Sequence, residues 1–323
     1  MFDNIDFKLK NTEVALTDFF DTLQYLTAIT GEHNFNGERV VSGILGNANN
    51  DNYFKITVSN NGVNIKNGSL CKYYLENNFK TLGRSDTQKA IEKLSDTLHL
   101  PIDKATITRL DVAQNFIVQN PVQVYYNHLG ELKYSTRIGI GNGNGIIETL
   151  QYYQSRGLLI FYDKLKEQTV KRQPIDELYV NRNVLRYEQR HTSRLAKTFN
   201  VERVTASMLF DENFYIKIIK EWKNNYFNIN KINDFIINFE GMKNKTDLYN
   251  LGVLALIEMQ GGELNVITQI KEAQKTGQLT KKQAFDMRQA VKVACDTKKG
   301  LTVPNEAILE LDKKVKEAAF CYR

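Results

Sequence analysis

Apolar and polar residues alternate in short runs over the first part of the chain, whereas beyond residue 200 the apolar positions recur every three or four residues. A two-residue period belongs to half-buried strands and a three-to-four-residue period to amphipathic helices. Val40 to Leu70 reads as three strands, Val-Val-Ser-Gly-Ile-Leu-Gly, Tyr-Phe-Lys-Ile-Thr-Val and Gly-Val-Asn-Ile-Lys-Asn-Gly-Ser-Leu, with Asn61-Gly62 as a hairpin signal. Ser85 or Asp86 is placed to cap a helix that runs to about Leu98, through Ala90, Ile91 and Leu94, before Pro101 closes the segment. Ala105 to Phe116 is the next strand, and Tyr125-Tyr126 starts a short helix. Gly139 to Gly145 reads as a flexible turn between strands, without the Lys-Ser/Thr of a P-loop. Glu148 to Tyr153 and Leu158 to Lys164 form a hairpin around Gln154 to Gly157, and Val184 to Arg190 is a further strand. Helices are expected at Ser207 to Tyr226, Lys231 to Phe239, Thr246 to Met259, Asn265 to Thr276, Thr280 to Cys295 and Asn305 to Phe320.

Strands clustered first and helices afterwards predict an α+β fold, an antiparallel sheet with helices on one face followed by a helical C-terminal region. The expected division is residues 1–200 and residues 201–323. No internal repeat interrupts this order.

Composition alters the picture only slightly. With 323 residues, 42% hydrophobic and 25% charged, the chain is long enough for two domains and has the make-up of a folded protein. A net charge of +6 permits a nucleic-acid partner without demanding one. Cys71, Cys295 and Cys321 lack metal-knuckle spacing and even pairing, which argues against a disulfide framework and for a reducing compartment. The first residues lack the basic and apolar sections of a signal peptide, and no run approaches the roughly 20 apolar residues of a membrane span. The expectation is a cytoplasmic protein with no membrane partner.

Three strands carry candidate chemistry. In Thr106 to Val112 the period of two puts Arg109 and Asp111 on one face; Glu188 is flanked at the same parity by Arg186 and Arg190. Each carboxylate taken alone reads as half of a structural ion pair; their recurrence on two strands among arginines points toward a hard divalent cation, Mg²⁺ or Mn²⁺. Glu148, placed before the hairpin, is a third possible ligand. Tyr162 shares strand parity with Lys164, and an ammonium beside a phenol favours the phenolate. Attack by such a tyrosine on a phosphodiester leaves a phosphotyrosyl ester that conserves the bond for rejoining. His33, His99, His128 and His191 are scattered, so zinc chemistry is not expected. Lys72, Lys80, Arg84 and the lysines of 217–223 and 271–282 are candidates for phosphate contact, and Tyr73-Tyr74 and Tyr152-Tyr153 for stacking on unpaired bases.

Ala105-Thr-Ile-Thr-Arg-Leu-Asp-Val-Ala, Leu159-Ile-Phe-Tyr-Asp-Lys-Leu-Lys-Glu and Leu185-Arg-Tyr-Glu-Gln-Arg followed by Arg194-Leu-Ala-Lys-Thr-Phe resemble three blocks of the gene II/X type of phage and plasmid replication proteins, the filamentous-phage rolling-circle initiators. The segments beginning at Gly43 and Gly68 resemble the N-terminal strands of that family, so the likeness spans roughly residues 40 to 200. It implies a site-specific nickase that binds an origin as duplex and single strand, cuts one strand, stays on the 5′ phosphate through tyrosine and closes the displaced circle. By position it makes Asp111 and Glu188 metal-binding carboxylates and Tyr162 the nucleophile. Related plasmid initiators carry their tyrosine on a helix after the Arg-x-Glu strand. Here Thr192 to Val201 has none, and Tyr215, then Tyr226, are the next candidates. Arg109, Arg186, Arg190, Lys72 and Tyr73 are the expected DNA contacts, and a host replication helicase or polymerase is an expected partner in the bacterial cell. A mobilisation relaxase shares this chemistry; a catalytically silent DNA-binding or copy-control protein is the competing reading of another class.

Overall fold

Ile5-Asp-Phe-Lys-Leu-Lys alternates strictly, and it lies in β1, Phe2–Lys10, at the middle of the sheet. The computed structural model describes residues 1–13, 19–33, 37–48, 52–141, 143, 145–234, 242–296 and 303–322. After β1 come β2 Thr27–His33, β3 Arg39–Asn47, β4 Asn52–Ser59 and β5 Gly62–Lys66, then α1 Leu70–Leu75 and α2 Arg84–Leu98. They are followed by β6 Thr106–Val118, α3 Val122–His128, β7 Leu129–Leu132, β8 Thr136–Gly141, β9 Ile147–Gln154 and β10 Gly157–Asp163. Next are α4 Lys164–Val170, β11 Asn183–His191, α5 Leu195–Phe199, α6 Glu212–Phe227 and β12 Ile229–Lys231. Helices α7 Lys245–Met259, α8 Glu263–Lys275 and α9 Lys281–Asp296 precede the helix Glu306–Cys321.

Ten strands form one antiparallel sheet in the order β2-β3-β4-β5-β1-β6-β11-β10-β9-β8. This is the α+β architecture expected from the pattern. The Asn61-Gly62 signal marks a real hairpin, with Ser59 paired to Gly62. The hairpin around Gln154 to Gly157 is also present, with Gly157 opposite Gln154. A Cβ on Gly157 would stand 2.1 Å from the Arg190 carbonyl oxygen, so only glycine lets β10 begin this close to β11.

Several local expectations change. Gly83, not Ser85 or Asp86, is the N-cap of α2, and its carbonyl accepts from the Thr87 hydroxyl at 2.7 Å. Lys164 leaves the strand: the Asp163 side chain accepts from the amides of Leu165 and Lys166 and starts α4 at that residue. Where the spacing predicts a helix over Lys231 to Phe239, Ile229–Lys231 is strand, paired with β7; residues 235–239 lie outside the described residues. The turn expected at Gly139 to Gly145 also lies partly outside them, at residues 142 and 144, although the flanking β8 and β9 do pair.

One face of the central strands is sealed by aromatic side chains. Tyr187 of β11 stacks on Phe161 of β10 with ring centroids 4.6 Å apart and on Trp222 of α6 at 5.0 Å. Tyr226 donates to Asp312 at 2.7 Å, tying α6 to the helix Glu306–Cys321, whose Ile308, Leu311 and Val315 join the same core. Such side chains contribute about 1.5–3 kcal/mol each when buried. Ile257, Ile270, Ala284, Val291 and Ala294 of α7 to α9 make a second, smaller core. Among the described residues no helix is long and apolar enough to cross a membrane. The opposite face of the sheet is bordered by α1 and α4 and carries the polar residues.

Candidate active site

Register alone gathers the candidate residues. Across β10, β11 and β6, Tyr162 is opposite Arg186, which is opposite Asn115; Ile160, Glu188 and Ala113 form the next row, and Leu158, Arg190 and Asp111 the one after. Directly opposite residues share a face. Asp111, Glu188 and Tyr162 therefore project to the same side.

β1 adds groups that sequence reading missed. Its pairing with β6 shifts register between Phe2 and Ile5. A shift of this kind interrupts strict alternation, and two successive side chains reach the polar face. Asn4 donates to Asp111 Oδ2 at 3.1 Å, and Asp3 pairs with Arg186. Asp3 also accepts from Ser69, the N-cap of α1, and from Asn78 at 3.3 Å. The alternating run at the N-terminus was the available signal; Asp3, Ser69 and Asn78 carry none in one dimension.

Three carboxylates, Asp3, Asp111 and Glu188, meet three guanidinium groups, Arg109, Arg186 and Arg190. Arg109 grips Asp111 with two hydrogen bonds, 3.0 and 2.6 Å. Arg190 Nε donates to Glu188 Oε1 at 2.6 Å and lies 3.8 Å from Asp111 Oδ2. Arg186, fully enclosed, reaches Glu188 Oε2 at 3.3 Å, Asn115 Oδ1 at 3.1 Å and the Asn78 carbonyl at 3.3 Å. Burial pushes the Asp111 carboxyl up to about 7, the Arg109 hydrogen bond opposes that rise, and the negative charge of Glu188 adds to it. Burial also disfavours a charged Asp3, yet the Arg186 guanidinium and the Ser69 and Asn78 donors hold its carboxyl below the usual range. Burial works against the Arg186 charge too, but the surrounding acids hold its guanidinium well above the usual range.

The Tyr162 hydroxyl donates to Glu188 Oε2 at 3.3 Å. Its pKa lies well above that of a free phenol, because burial outweighs the opposing field of Arg186. This corrects the expected activation by Lys164. That ammonium, buried at the start of α4, donates to Glu167 at 2.6 Å and stands 5.7 Å over the Phe79 ring, and its burial lowers its own pKa to about 8. The phenol is held protonated, with a carboxylate as proton acceptor.

A polar cavity of about 220 Å³ opens over these groups; Asp3, Asn4, Ser69, Lys72, Tyr162, Glu167, Lys171, Glu188 and Arg190 line it, with Tyr53, Asn67 and Asn78. Lys72, a predicted phosphate contact, thus belongs to the site, its ammonium 3.1 Å from Gln173 Oε1. Tyr73 does not: its ring packs edge-on against Phe54 and its hydroxyl meets Thr97 at 3.0 Å. Tyr152 is a core residue whose hydroxyl donates to the carbonyls of Leu129 and Gly130. Glu148 is not brought to Asp111 and Glu188; it binds Lys166 at 2.5 Å beside a second cavity, about 210 Å³, that Tyr162 also borders. Tyr215 is buried on α6 against Phe2 at 5.6 Å, its hydroxyl without a partner, and lines no part of the polar cavity.

No group of three or more His, Cys, Asp or Glu suited to a metal ion occurs among the described residues. Two carboxylates still suffice for Mg²⁺, which commonly keeps waters and takes its other ligands from substrate phosphates. The Arg190 guanidinium, one-third exposed, stands beside both carboxylates and marks where positive charge is accommodated. Asp111 and Glu188 fit a hard cation in that limited sense.

At the end of β11, His191 faces the other side of the sheet, and burial pulls its imidazole down to about 4. Because the folded state favours the neutral ring, its contribution is complete above about pH 6.5 and is lost as pH falls through about 4, amounting to roughly 3 kcal/mol. Urea unfolding at stepped pH values is expected to show His191→Gln with a flatter stability decline between those limits than the parent. Parallel declines would contradict this origin.

A family model for the N-terminal part of the gene II replication-associated protein of phages matches residues 6–225, more than half of the chain and every strand that carries the site. No curated protein matches the chain.

Proposed function

We propose that this chain, which belongs to the gene II family of phage replication-associated proteins, starts rolling-circle DNA replication by nicking one strand at an origin. The observation that carries the mechanism is the Tyr162 hydroxyl, hydrogen-bonded to Glu188 in a cation-lined cavity on the sheet. The phenolic oxygen attacks phosphorus and the bond to the 3′ oxygen breaks. Glu188 Oε2 takes the phenolic proton, and a 3′ hydroxyl forms with a proton from solvent. The 5′ phosphate stays on Tyr162 as an ester. Attack of a later 3′ hydroxyl on that ester reverses the step and closes the circle.

Arg190, Lys72 and Lys171 bring positive charge to the cavity, where they stabilise the phosphoryl oxygens as charge develops on them. Mg²⁺ or Mn²⁺, held by Asp111 and Glu188, would supply further polarisation of the phosphodiester. The burial of Arg186 and the packing of the Arg109–Asp111 pair suit positioning of the acids rather than contact with DNA. The origin, as duplex and as melted strand, is the proposed partner, and the cytoplasm of the bacterial host the proposed place of action.

The test is incubation with supercoiled plasmid carrying the element's own origin, with Mg²⁺ or chelator, scoring relaxed circles and protein linked to a new 5′ end. Asp111→Asn and Glu188→Gln are each expected to cut at least about 100-fold more slowly, as for loss of a general base or charge-stabilising group. Full cleavage by both variants in chelator would remove the carboxylates from the chemistry. Absence of any adduct from the parent protein would favour a DNA-binding role without turnover.

A further inference from the structure

The sheet face opposite Tyr162 holds a second cavity, about 260 Å³, that the nicking chemistry leaves unused. β11 separates the two: Glu188 and Arg190 border the first, and the intervening Gln189 and the next residue, His191, border the second. Its wall is completed by α5 and α6 through Thr198, Glu221 and Asn225, and by the β9–β10 turn through Arg156.

This cavity carries unspent hydrogen-bonding capacity. Gln189 is 3% exposed, yet its Oε1 has no partner, and neither has the buried Oγ1 of Thr198. Buried polar atoms are nearly always paired, so two orphans in one pocket mark a place where a ligand supplies the missing groups. His191, neutral at physiological pH, brings one donor and one acceptor. Burial raises the Glu221 carboxyl to about 7, where it can serve in either sense.

The rim differs from the floor. Arg156 and Lys133 are cations, and Tyr134 is 87% exposed with the Lys133 ammonium 4.9 Å from its ring centroid. Tyr134 also adopts a positive φ of 61°, a conformation costly for a bulky residue, which holds the ring out over the opening. A floor of mixed donors and acceptors, an aromatic edge and flanking cations match a planar heterocycle joined to a phosphate.

We propose that this cavity receives one unstacked base of single-stranded DNA, with its phosphate on Arg156 and its ring against Tyr134. The proposal rests on the DNA-nicking reading. A strand cut on one side of β11 would be gripped on the other side of the same strand, one residue away in sequence.

The probe is a 12-nucleotide single strand bearing one 5-iododeoxyuridine, photocrosslinked to the full chain and mapped by mass spectrometry, beside a parallel arm with 5-iododeoxyuridine monophosphate. Crosslinks to Tyr134 or His191 are expected with the oligonucleotide at concentrations at least about tenfold below those the mononucleotide needs. Tyr134→Ala and Gln189→Leu are each expected to weaken oligonucleotide binding about tenfold. The first changes an exposed rim residue and the second removes an unpaired buried atom, so both should fold. Crosslinks confined to the Tyr162 cavity, or parental affinity in both variants, would overturn the proposal. Equal labelling by the mononucleotide would make this a free-nucleotide site and overturn the DNA assignment. A Tyr162 adduct without rear-cavity crosslinks sinks this inference alone; crosslinks without an adduct sink the nicking reading and leave the base pocket standing.

Discussion

Tyr162→Phe is expected to eliminate the covalent protein–DNA adduct and to slow strand cleavage by roughly 10⁴-fold or more, the scale of losing a nucleophile. Origin binding should survive. The hydroxyl makes one 3.3 Å hydrogen bond, to an oxygen that Arg186 also contacts, so its removal should cost no more than about 1.5 kcal/mol of stability. Denaturing gels of protein linked to a 5′-labelled origin oligonucleotide, with a binding measurement on the same preparation, check both halves. Tyr215→Phe is the matched control. Its hydroxyl is buried without a partner on α6, so the variant should form adduct at the parental rate and be no less stable. An undiminished adduct in Tyr162→Phe, lost instead in Tyr215→Phe, would transfer the nucleophile and dissolve the role given to Glu188.

The legible part of this site was its parity. Arg109 and Asp111, and Arg186, Glu188 and Arg190, were separable into faces by counting in twos, and the structure puts them on one face because β6 and β11 pair without a break from Leu110 to Val118. The glycine-bearing hairpins were legible as well, because turn chemistry is local. Less could be read where several segments met. Ser69 and Asn78 reach Asp3 from 66 and 75 residues away, and no spacing rule links such positions. Lys164 failed for a local reason that competed with another: strand parity carried it onto the face of Tyr162, but Asp163 is a strong N-cap and turned the chain into a helix one residue earlier. Tyr152 and Tyr73 show the limit of composition. Paired tyrosines read as a stacking surface until tertiary packing spends them on the core.

Arg186 is expected to be the costliest side chain of the site to remove. Arg186→Met keeps apolar volume but leaves Asp3 and Glu188 in a dry interior without their shared cation, a loss of about 3–5 kcal/mol. Three of its nitrogen atoms make hydrogen bonds, including one to the Asn115 side chain and one to the Asn78 carbonyl, so the tip of the α1–α2 connection should loosen as well. The pH dependence carries a sign. Asp3 titrates below its usual value in the folded protein, so the stability from its charge is present above about pH 4 and is lost as pH falls through its depressed pKa. In Arg186→Met that carboxyl should rise instead, and the variant should gain relative to the parent on mild acidification. Urea midpoints at neutral and acidic pH test this, and Arg186→Met combined with Asp3→Asn should recover part of the loss, because the neutral amide no longer needs a counter-charge. Equal midpoints for parent and Arg186→Met would mean that water reaches Asp3 and Glu188, and the enclosed acid–arginine lattice that holds Tyr162 against its proton acceptor would not exist in solution.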